Sequence, residues 1–256
     1  KVDIVITHDT TLADYGINTL RQITECSVWA TGCTDEETLR QLDRWISHMM
    51  GSDEFSRLES KFSATYNPHK LAERGTKTGT ISPYDEIIRK YAATLGWDWR
   101  MLASVLYQES RFAIGSASFR GAQGLMQVMP STATYYDVEN LLDPEQNIMA
   151  GTKHLRRLQN MFRKEGLEGE ELIKFTLAAY NAGEGRIIDC RSLARSRQID
   201  DTVWNEVVKV IPLMREDSIL EDESVKLGKF KGHETIAYVD QVFSHYEAFC
   251  SICPSI

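Results

Sequence analysis

The sequence is 256 residues long, with 42% hydrophobic and 26% charged residues and a formal net charge of −8 at pH 7. This composition is that of an ordinary globular protein, with room for one large domain or two smaller ones. The acidic charge argues against nucleic-acid binding, because contacts with phosphates require clustered Lys and Arg. No apolar run is long enough to cross a bilayer. The chain starts at Lys1 rather than Met, so we expect that a signal was removed or that a longer protein contains this sequence.

Residues 1–66 are predicted to form a small α/β segment. Apolar residues alternate over the first six positions as in a half-buried strand, and a second extended stretch covers residues 23–30. Thr34 and Glu37 have the spacing of a capping box at the start of an amphipathic helix, and a second helix is predicted after Gly51. Two strands and two or three helices make a thin core. We therefore interpret this segment as part of a larger α/β unit.

A linker and an all-helical domain are predicted to follow. Residues 67–82 show no periodic pattern and contain Gly, Pro, Thr and Lys, which is typical of a linker. Ser82 as a cap and Pro83 at the first helical position predict the start of a helical domain over residues 83–256. A first helix is expected to end at Gly96. Further helical patterns lie at 98–111, 145–163, 169–182, 203–211 and 233–247.

The five cysteines do not define a single chemistry. Their odd number leaves at least one thiol unpaired within the chain. Cys250 and Cys253 form one C-x-x-C pair, without a second pair at zinc spacing. We therefore expect no metal site and no cofactor, and the sequence leaves open whether the thiols form a disulfide or stay buried.

Glu109 is the residue that the sequence singles out for chemistry. Leu102 and Leu106 define an apolar stripe on the helix predicted from residue 98, and the next position on that stripe is Glu109. A carboxyl group buried without partners has a raised pKa. A carboxylic acid that is still protonated near neutral pH can donate its proton to a glycosidic oxygen. The alternative is that Glu109 turns outward at the helix end and pairs with Arg111 or water, and this helix alone does not decide.

Two further segments contain groups suited to a binding cleft. Residues 118–127 read S-F-R-G-A-Q-G-L-M-Q, a loop whose glycines allow the backbone to approach a ligand closely. The helix over 169–182 ends in A-A-Y-N-A-G, which places Tyr180 and Asn181 at its C-terminus. Each segment alone also has an ordinary interpretation, as a Gly-rich loop and as a core Tyr beside a helix end.

In their order along the chain, these motifs resemble those of the lytic transglycosylases of the soluble type. Nine positions separate Glu109 from Ser118, as in that family. The shared motifs are E-S at 109–110, G-L-M-Q at 124–127, D-P-x-x-N-I at 143–148, A-Y-N at 179–181 and E-T-x-x-Y-V at 234–239. The ordered set is much more specific than any of its members.

The resemblance implies a lysozyme-like, all-helical domain that cleaves the glycan strands of peptidoglycan. Glu109 would be the single catalytic acid/base, acting on the bond between N-acetylmuramic acid and N-acetylglucosamine and leaving a 1,6-anhydro end. Most glycosidases need a second carboxylate, whereas in this family the N-acetyl group of the substrate is thought to stabilise the developing cation. The substrate-binding residues implied by the resemblance are Ser118, Gln127, Met129, Tyr180, Asn181, Glu234 and Tyr238. Of these, Tyr180 would hydrogen-bond close to Glu109, and Glu234 and Tyr238 would either support the site or contact the substrate.

Residues 1–66 resemble, more partially, the closing segment of a periplasmic solute-binding domain. The motifs are V-D-I-V-I-T-H-D-T near the start and S-V-W-A further on. Such a domain precedes the catalytic domain in the membrane-bound lytic transglycosylase F group. This resemblance implies a periplasmic protein and a regulatory ligand whose site lies mostly outside this chain. Anchoring to the outer membrane would require a segment that this chain does not contain.

Two other functions remain open. Goose-type lysozymes share the fold and the lone Glu but hydrolyse the same bond, so their products carry reducing ends. A peptidoglycan-binding module that has lost activity would bind cell walls without releasing fragments. Glu109, Gln127 and Tyr180 together favour an enzyme over a mere binding module.

Overall fold

A computed structural model describes two parts of the chain, which are best taken separately. The chain divides into two compact units, Lys1–Asn67 and Pro68–Ile256. The structure describes residues 4–7, 18–24, 27–31, 35–53 and 67–254.

The first unit contains a three-stranded antiparallel sheet. Its strands are β1 (Ile4–Thr7), β2 (Asn18–Thr24) and β3 (Ser27–Thr31), with β3 in the centre. The stretch predicted as one strand over 23–30 belongs to two strands, since Thr24 pairs with Ser27. An alternating apolar pattern shows extended backbone but not the point at which the chain reverses.

Helix α1 (Glu36–Met50) also belongs to the first unit. Its N-cap is Asp35, whose carboxylate accepts a hydrogen bond from the Thr38 amide at 2.9 Å. The predicted capping residue, Thr34, lies outside the described residues. Asp caps at least as well as Thr, so the helix begins one residue later than predicted. The second helix predicted in this segment also lies outside the described residues.

In the described part of the second unit, the regular elements are helical. The prediction of a mainly α protein, in which a small α/β segment precedes an all-helical part, is confirmed. The helices are α2 (Pro68–Glu73), α3 (Asp85–Leu95), α4 (Trp99–Ser110), α5 (Pro130–Tyr135), α6 (Pro144–Lys164), α7 (Gly169–Ala182), α8 (Glu184–Ser196), α9 (Trp204–Val210) and α10 (His233–Ile252), with 3₁₀ turns at Ile211–Arg215 and Asp217–Glu221.

Helix α4 forms the centre of this unit. Every residue from 100 to 107 is buried, and Leu102 and Leu106 have no exposed surface. The helix packs against α3 on one side and α10 on the other, while α7 packs against α6, α8 and α10. The predicted stripe therefore faces the core, and it leads directly to Glu109 in the last turn.

Helix α3 begins later than predicted. The carboxylate of Asp85 accepts hydrogen bonds from the Ile81 and Ser82 amides, both at 2.8 Å. The Ser82 hydroxyl donates to the same carboxylate, so Ser82 belongs to the turn before the helix and is not its cap. The helix ends as predicted, at Gly96, whose φ of 69° is in the left-handed region that glycine adopts without strain.

Three helices escaped prediction. Helix α2 lies inside the predicted linker over 67–82, so part of that segment is helical; six residues with few apolar side chains show no period. Helix α5 is equally short. Helix α8 buries Asp189 and Arg191 beside its apolar residues, and these charges interrupt the apolar stripe by which a helix is normally recognised.

In the described part of the chain, Cys190, Cys250 and Cys253 are free thiols. The other two cysteines, Cys26 and Cys33, lie outside that part. No group of three or more potential metal ligands occurs there. None of the described helices combines the length and the apolar character needed to cross a membrane.

Candidate active site

Glu109 lies in the last turn of α4, where its side chain is half-buried. Its Oε1 accepts a hydrogen bond from the Tyr238 hydroxyl at 2.6 Å. Burial raises the pKa of Glu109 from its ordinary 4.5 to about 7, and the hydrogen bond from Tyr238 lowers it only in part. The carboxyl group is therefore close to half protonated at neutral pH, and it can serve as an acid or as a base.

The outward orientation considered for Glu109 is not observed. The guanidinium of Arg111 lies over the ring of Tyr107, 4.3 Å from its centroid. Glu109 instead faces α10 through its bond to Tyr238. Its polar partner is thus a neutral hydroxyl, which leaves the burial of the carboxylate largely uncompensated.

Two tyrosines from different helices lie beside this carboxyl group. Burial and the negative charge of Glu109 raise the pKa of both Tyr180 and Tyr238 well above the usual 10. Both hydroxyls therefore remain protonated donors. Tyr238 donates to Glu109, whereas Tyr180 donates to the carbonyl oxygen of Met126 at 2.7 Å.

The loop that contains G-L-M-Q is attached to the helices by buried side chains. The Ser110 hydroxyl, next to Glu109, donates to the carbonyl of Leu125 at 2.8 Å. Asn147 on α6 is fully buried; it accepts from the Met126 amide and donates to the carbonyls of Gln123 and Leu141, each at 2.9 Å. Together with Tyr180, these side chains fix the loop backbone beside Glu109.

The contributions of Ser110 and Asn147 were not predicted, although both residues lie in the motifs that carried the family resemblance. A signal was present for each residue. Ser110 follows the stripe residue Glu109, and Asn147 lies among the apolar positions of α6, where a polar side chain needs internal hydrogen bonds. The sequence alone could indicate that these side chains form internal hydrogen bonds, but it could not identify their partners.

Gln127 and Ser118 hold the loop itself. The Gln127 side-chain amide donates to the carbonyls of Ser116 and Gly124, at 3.1 and 3.0 Å. The exposed Ser118 accepts from the Ala122 amide through its hydroxyl oxygen at 3.0 Å. Both residues thus lie in the predicted loop, with at least part of their hydrogen-bonding capacity used inside it.

The other predicted site residues lie at the surface. Met129 follows the loop with 39% of its surface exposed. Asn181, at the end of α7, is exposed and accepts from the Thr235 hydroxyl at 2.9 Å, which joins the end of α7 to the start of α10. Glu234 is exposed in the first turn of α10. The structure therefore brings Tyr238 to Glu109 and leaves Glu234, one turn earlier, at the surface.

A separate cavity of about 760 Å³ lies at the other end of α4. Arg89, Trp97 and Trp99 are among the residues that line it, and no predicted site residue does. Ten positions of an α-helix separate Trp99 from Glu109, a distance of about 15 Å at ~1.5 Å per residue. This cavity is consequently not part of the Glu109 site.

Comparison with known proteins finds a family that resembles the middle part of the chain. Residues 86–203 match the model of the transglycosylase SLT domain family. The matched range includes Glu109, the loop that follows it and Tyr180, whereas Tyr238 lies beyond its end. Residues 86–203 are thus similar to the transglycosylase SLT domain family, and the resemblance to lytic transglycosylases is confirmed.

The curated relatives include several proteins of one name. A membrane-bound lytic murein transglycosylase F of Desulfosudis oleivorans is 29% identical over 224 residues, which are 86% of this chain and 48% of that protein. The protein of the same name from Shewanella woodyi is 34% identical over 167 residues, 65% of this chain and 34% of that protein. The chain thus spans about half the length of the first relative and about a third of the second.

A solved structure is also similar over part of the chain. An inactive mutant of the lytic transglycosylase Slt from Pseudomonas aeruginosa has a TM-score of 0.46 and 22% identity. The similarity covers 68% of this chain and 25% of that one.

Proposed function

We propose that this chain is the catalytic part of a peptidoglycan lytic transglycosylase, with Glu109 as its single acid/base. The observation that supports this most directly is the half-buried carboxyl group with a pKa of about 7, hydrogen-bonded to Tyr238. It lies within the transglycosylase SLT match, and the relatives are named for action on murein. The proposed bond is the β-1,4 linkage from N-acetylmuramic acid to N-acetylglucosamine.

The reaction needs one proton to leave Glu109 and one to return. The protonated carboxyl group donates its proton to the glycosidic oxygen as the bond from that oxygen to C1 breaks, and the N-acetyl group of the substrate stabilises the positive charge at C1. The carboxylate then takes the proton of the C6 hydroxyl while the C6 oxygen bonds to C1. No water is consumed, and a pKa near 7 suits one group to both roles.

Tyr238 determines which carboxyl oxygen transfers the proton. Its hydroxyl donates to Oε1 and keeps its own proton, because its pKa is well above 10. Oε1 is thereby occupied as an acceptor, so the acidic proton of Glu109 resides on Oε2. This gives the carboxyl group one proton-transferring oxygen, and it stabilises the carboxylate formed between the two steps.

Substrate contacts by the surrounding residues are part of the same proposal. Met129 exposes an apolar surface that suits the face of a sugar ring. Asn181 and Glu234 present polar groups at the surface where α7 and α10 meet. Ser118 and Gln127 maintain the loop shape, and Tyr180 holds that loop next to the acid.

The regions outside the matched range are assigned more broadly. We propose that residues 1–66 are the end of a solute-binding domain, residues 67–82 its connection to the catalytic domain, and residues 83–256 the lysozyme-like domain. Because the proposed substrate lies in the periplasm, we propose that the protein acts there. A regulatory ligand would bind the part of the solute-binding domain outside this chain.

Digestion of purified sacculi tests the proposed reaction. Wild-type protein should release fragments with 1,6-anhydro ends, one water lighter than reducing ends by mass spectrometry. Glu109→Gln keeps the shape of the side chain but removes the proton, so the rate should fall by about 10²–10⁴-fold. Glu86→Gln, the same change at an exposed position of α3, is the matched control and should digest normally.

The other outcomes separate the alternatives. Reducing ends would identify a hydrolase similar to goose-type lysozymes. Binding of sacculi without release of fragments would identify a binding module. Undiminished digestion by Glu109→Gln would exclude Glu109 as the acid.

A further inference from the structure

Side-chain hydrogen bonds join α10 to α4 at several levels. Tyr238 meets Glu109 at the C-terminal end of α4, and Tyr246 meets Asp98 at its N-terminal end, at 3.3 Å. The two helices therefore run antiparallel. Between these levels lies Gln108, the neighbour of Glu109, whose amide contacts two residues of α10.

The contacts of Gln108 have defined geometry. Its Nε2 donates to Oε1 of Gln241 at 2.7 Å, and its Oε1 lies 3.0 Å from Nε2 of His245. Gln241 and His245 are four residues apart, so they lie one above the other on the same face of α10. Tyr238 is three residues before Gln241 on that face. The side-chain amide of Gln108 thus bonds to both ends of one full turn of α10. Tyr238, which contacts Glu109, lies just before that turn.

The tautomers of the histidines follow from this geometry. The amide oxygen of Gln108 can only accept, so His245 carries its proton on Nε2. Burial, with the charges of Arg111 and His69, lowers the pKa of His245 to about 3, so the ring is neutral and its Nδ1 is an acceptor. Nε2 of His69 on α2, 2.8 Å away, is then the donor.

These bonds form a chain with a single direction. Hydrogen bonds run from His69 to His245, from His245 to Gln108 and from Gln108 to Gln241. His245 is 6% exposed, and its ring lies perpendicular to the Tyr107 ring with the centroids 4.8 Å apart. Loss of the Gln108 amide would leave the buried Nε2–H of His245 without this acceptor, a costly arrangement that favours a shift of α10.

We propose that Gln108 is a positioning residue for Glu109, because its two bonds to Gln241 and His245 set the register of α10 that places the Tyr238 hydroxyl on the carboxyl group. This inference rests on the proposed function only for its effect on rate. The 2.6 Å bond from Tyr238 does not survive a displacement of about 1 Å, given the distance limits of hydrogen bonds. Gln108 therefore acts on the acid through α10 and need not touch the substrate.

A double-mutant cycle on the full chain tests this coupling. The variants are Gln108→Met, which keeps the length of the side chain without its hydrogen bonds, Tyr238→Phe, and both changes together. Tyr246→Phe, alone and with Tyr238→Phe, is the control, since it removes an α10–α4 bond at the far end of α4. All variants are compared at a temperature at which circular dichroism shows them folded.

The first readout is the titration of the Glu109 carboxyl carbon by NMR. The Tyr238 bond favours the carboxylate, so its loss raises the pKa of Glu109. Gln108→Met should raise this pKa in the wild-type background and cause no further rise in Tyr238→Phe. An unchanged Glu109 titration in Gln108→Met, or equal shifts in both backgrounds, would overturn the proposal. This readout does not depend on what the protein cleaves.

The second readout is kcat with peptidoglycan fragments. Gln108→Met should lower kcat by about 10- to 100-fold, as expected when a catalytic group is misplaced, and by less than about twofold once Tyr238 is Phe. The losses from Tyr246→Phe and Tyr238→Phe should multiply. Equal losses of kcat from Gln108→Met in both backgrounds would contradict the coupling. Coupled titrations in a protein that cleaves no glycan would instead refute the proposed function and leave the positioning role intact.

Discussion

Two carboxyl groups at opposite ends of α4 have opposite pKa shifts. Burial raises the pKa of Asp98, but hydrogen bonds from Arg100 outweigh it and hold that pKa below its usual value. Burial raises the pKa of Glu109 to about 7, because the hydrogen bond from Tyr238 opposes the effect of burial only in part. The same residue class thus serves as a charged helix cap at one end and as a candidate acid at the other.

The raised pKa predicts that Glu109 destabilises the fold at alkaline pH. The folded state binds the proton more tightly than the unfolded state, whose pKa is near the ordinary 4.5. Stability from this group is therefore present below pH 4.5 and is lost as the pH rises to about 7. Glu109→Gln cannot ionise, so relative to wild type it should gain on the order of 3 kcal/mol between about pH 4 and pH 8.

Urea unfolding of both proteins at the two pH values measures this difference. The sign is the informative part, because loss of a catalytic side chain is usually neutral or stabilising while loss of a structural one is not. If the difference in the free energy of unfolding between the two proteins stays constant with pH, the pKa of Glu109 is not raised. If Glu109→Gln instead becomes less stable relative to wild type at pH 8, the pKa shift has the opposite sign.

At the scale of elements, the site consists of three helices and a loop that α4, α6 and α7 hold in place. Helix α4 contributes the acid, α10 its hydroxyl partner, and α7 the tyrosine that binds the loop. The loop approaches α6 so closely at Gly124 that an added Cβ would lie 2.1 Å from Nδ2 of Asn147 and 2.5 Å from the carbonyl oxygen of Leu141. Glycine is required there by space as well as by its φ of 78°.

Two glycines of this loop permit a controlled test. Gly121 has a similar φ of 85° but nothing within 4 Å of an added Cβ. Ala at either position should cost about 1 kcal/mol of backbone strain. Gly124→Ala also displaces Asn147 and should lower the free energy of unfolding by about 1–3 kcal/mol more than Gly121→Ala. Equal losses in denaturant unfolding would mean that the loop does not pack against α6 as described.

At the scale of the whole molecule, local patterns predicted local structure well. The stripe through Leu102 and Leu106 located both α4 and the buried position of Glu109, because a helical period is visible within a dozen residues. The hydrogen bond from Tyr238 to Glu109 joins residues 129 positions apart. No local period contains that information, and only the family resemblance placed Tyr238 near the site.

The misses in helix prediction have a related cause. Helix α8 contains a buried Arg191, which forms ion pairs with Glu165 and Asp201, and these pairs offset the cost of burying its charge. These partners lie outside the helix, so the sequence of the helix alone does not indicate that its charged residues are buried. The domain assignments of residues 1–66, 67–82 and 83–256 stay predictions, since the relatives extend well beyond this chain.

Direct titration of Glu109 in the intact chain tests the central claim. The ¹³C shift of its side-chain carboxyl carbon, assigned by comparison with Glu109→Gln, should change with a midpoint near pH 7, as burial beside a neutral tyrosine requires. A midpoint near the ordinary 4.5 would show a solvated carboxylate. In that case Glu109 would be ionised at neutral pH and could not serve as the proton donor.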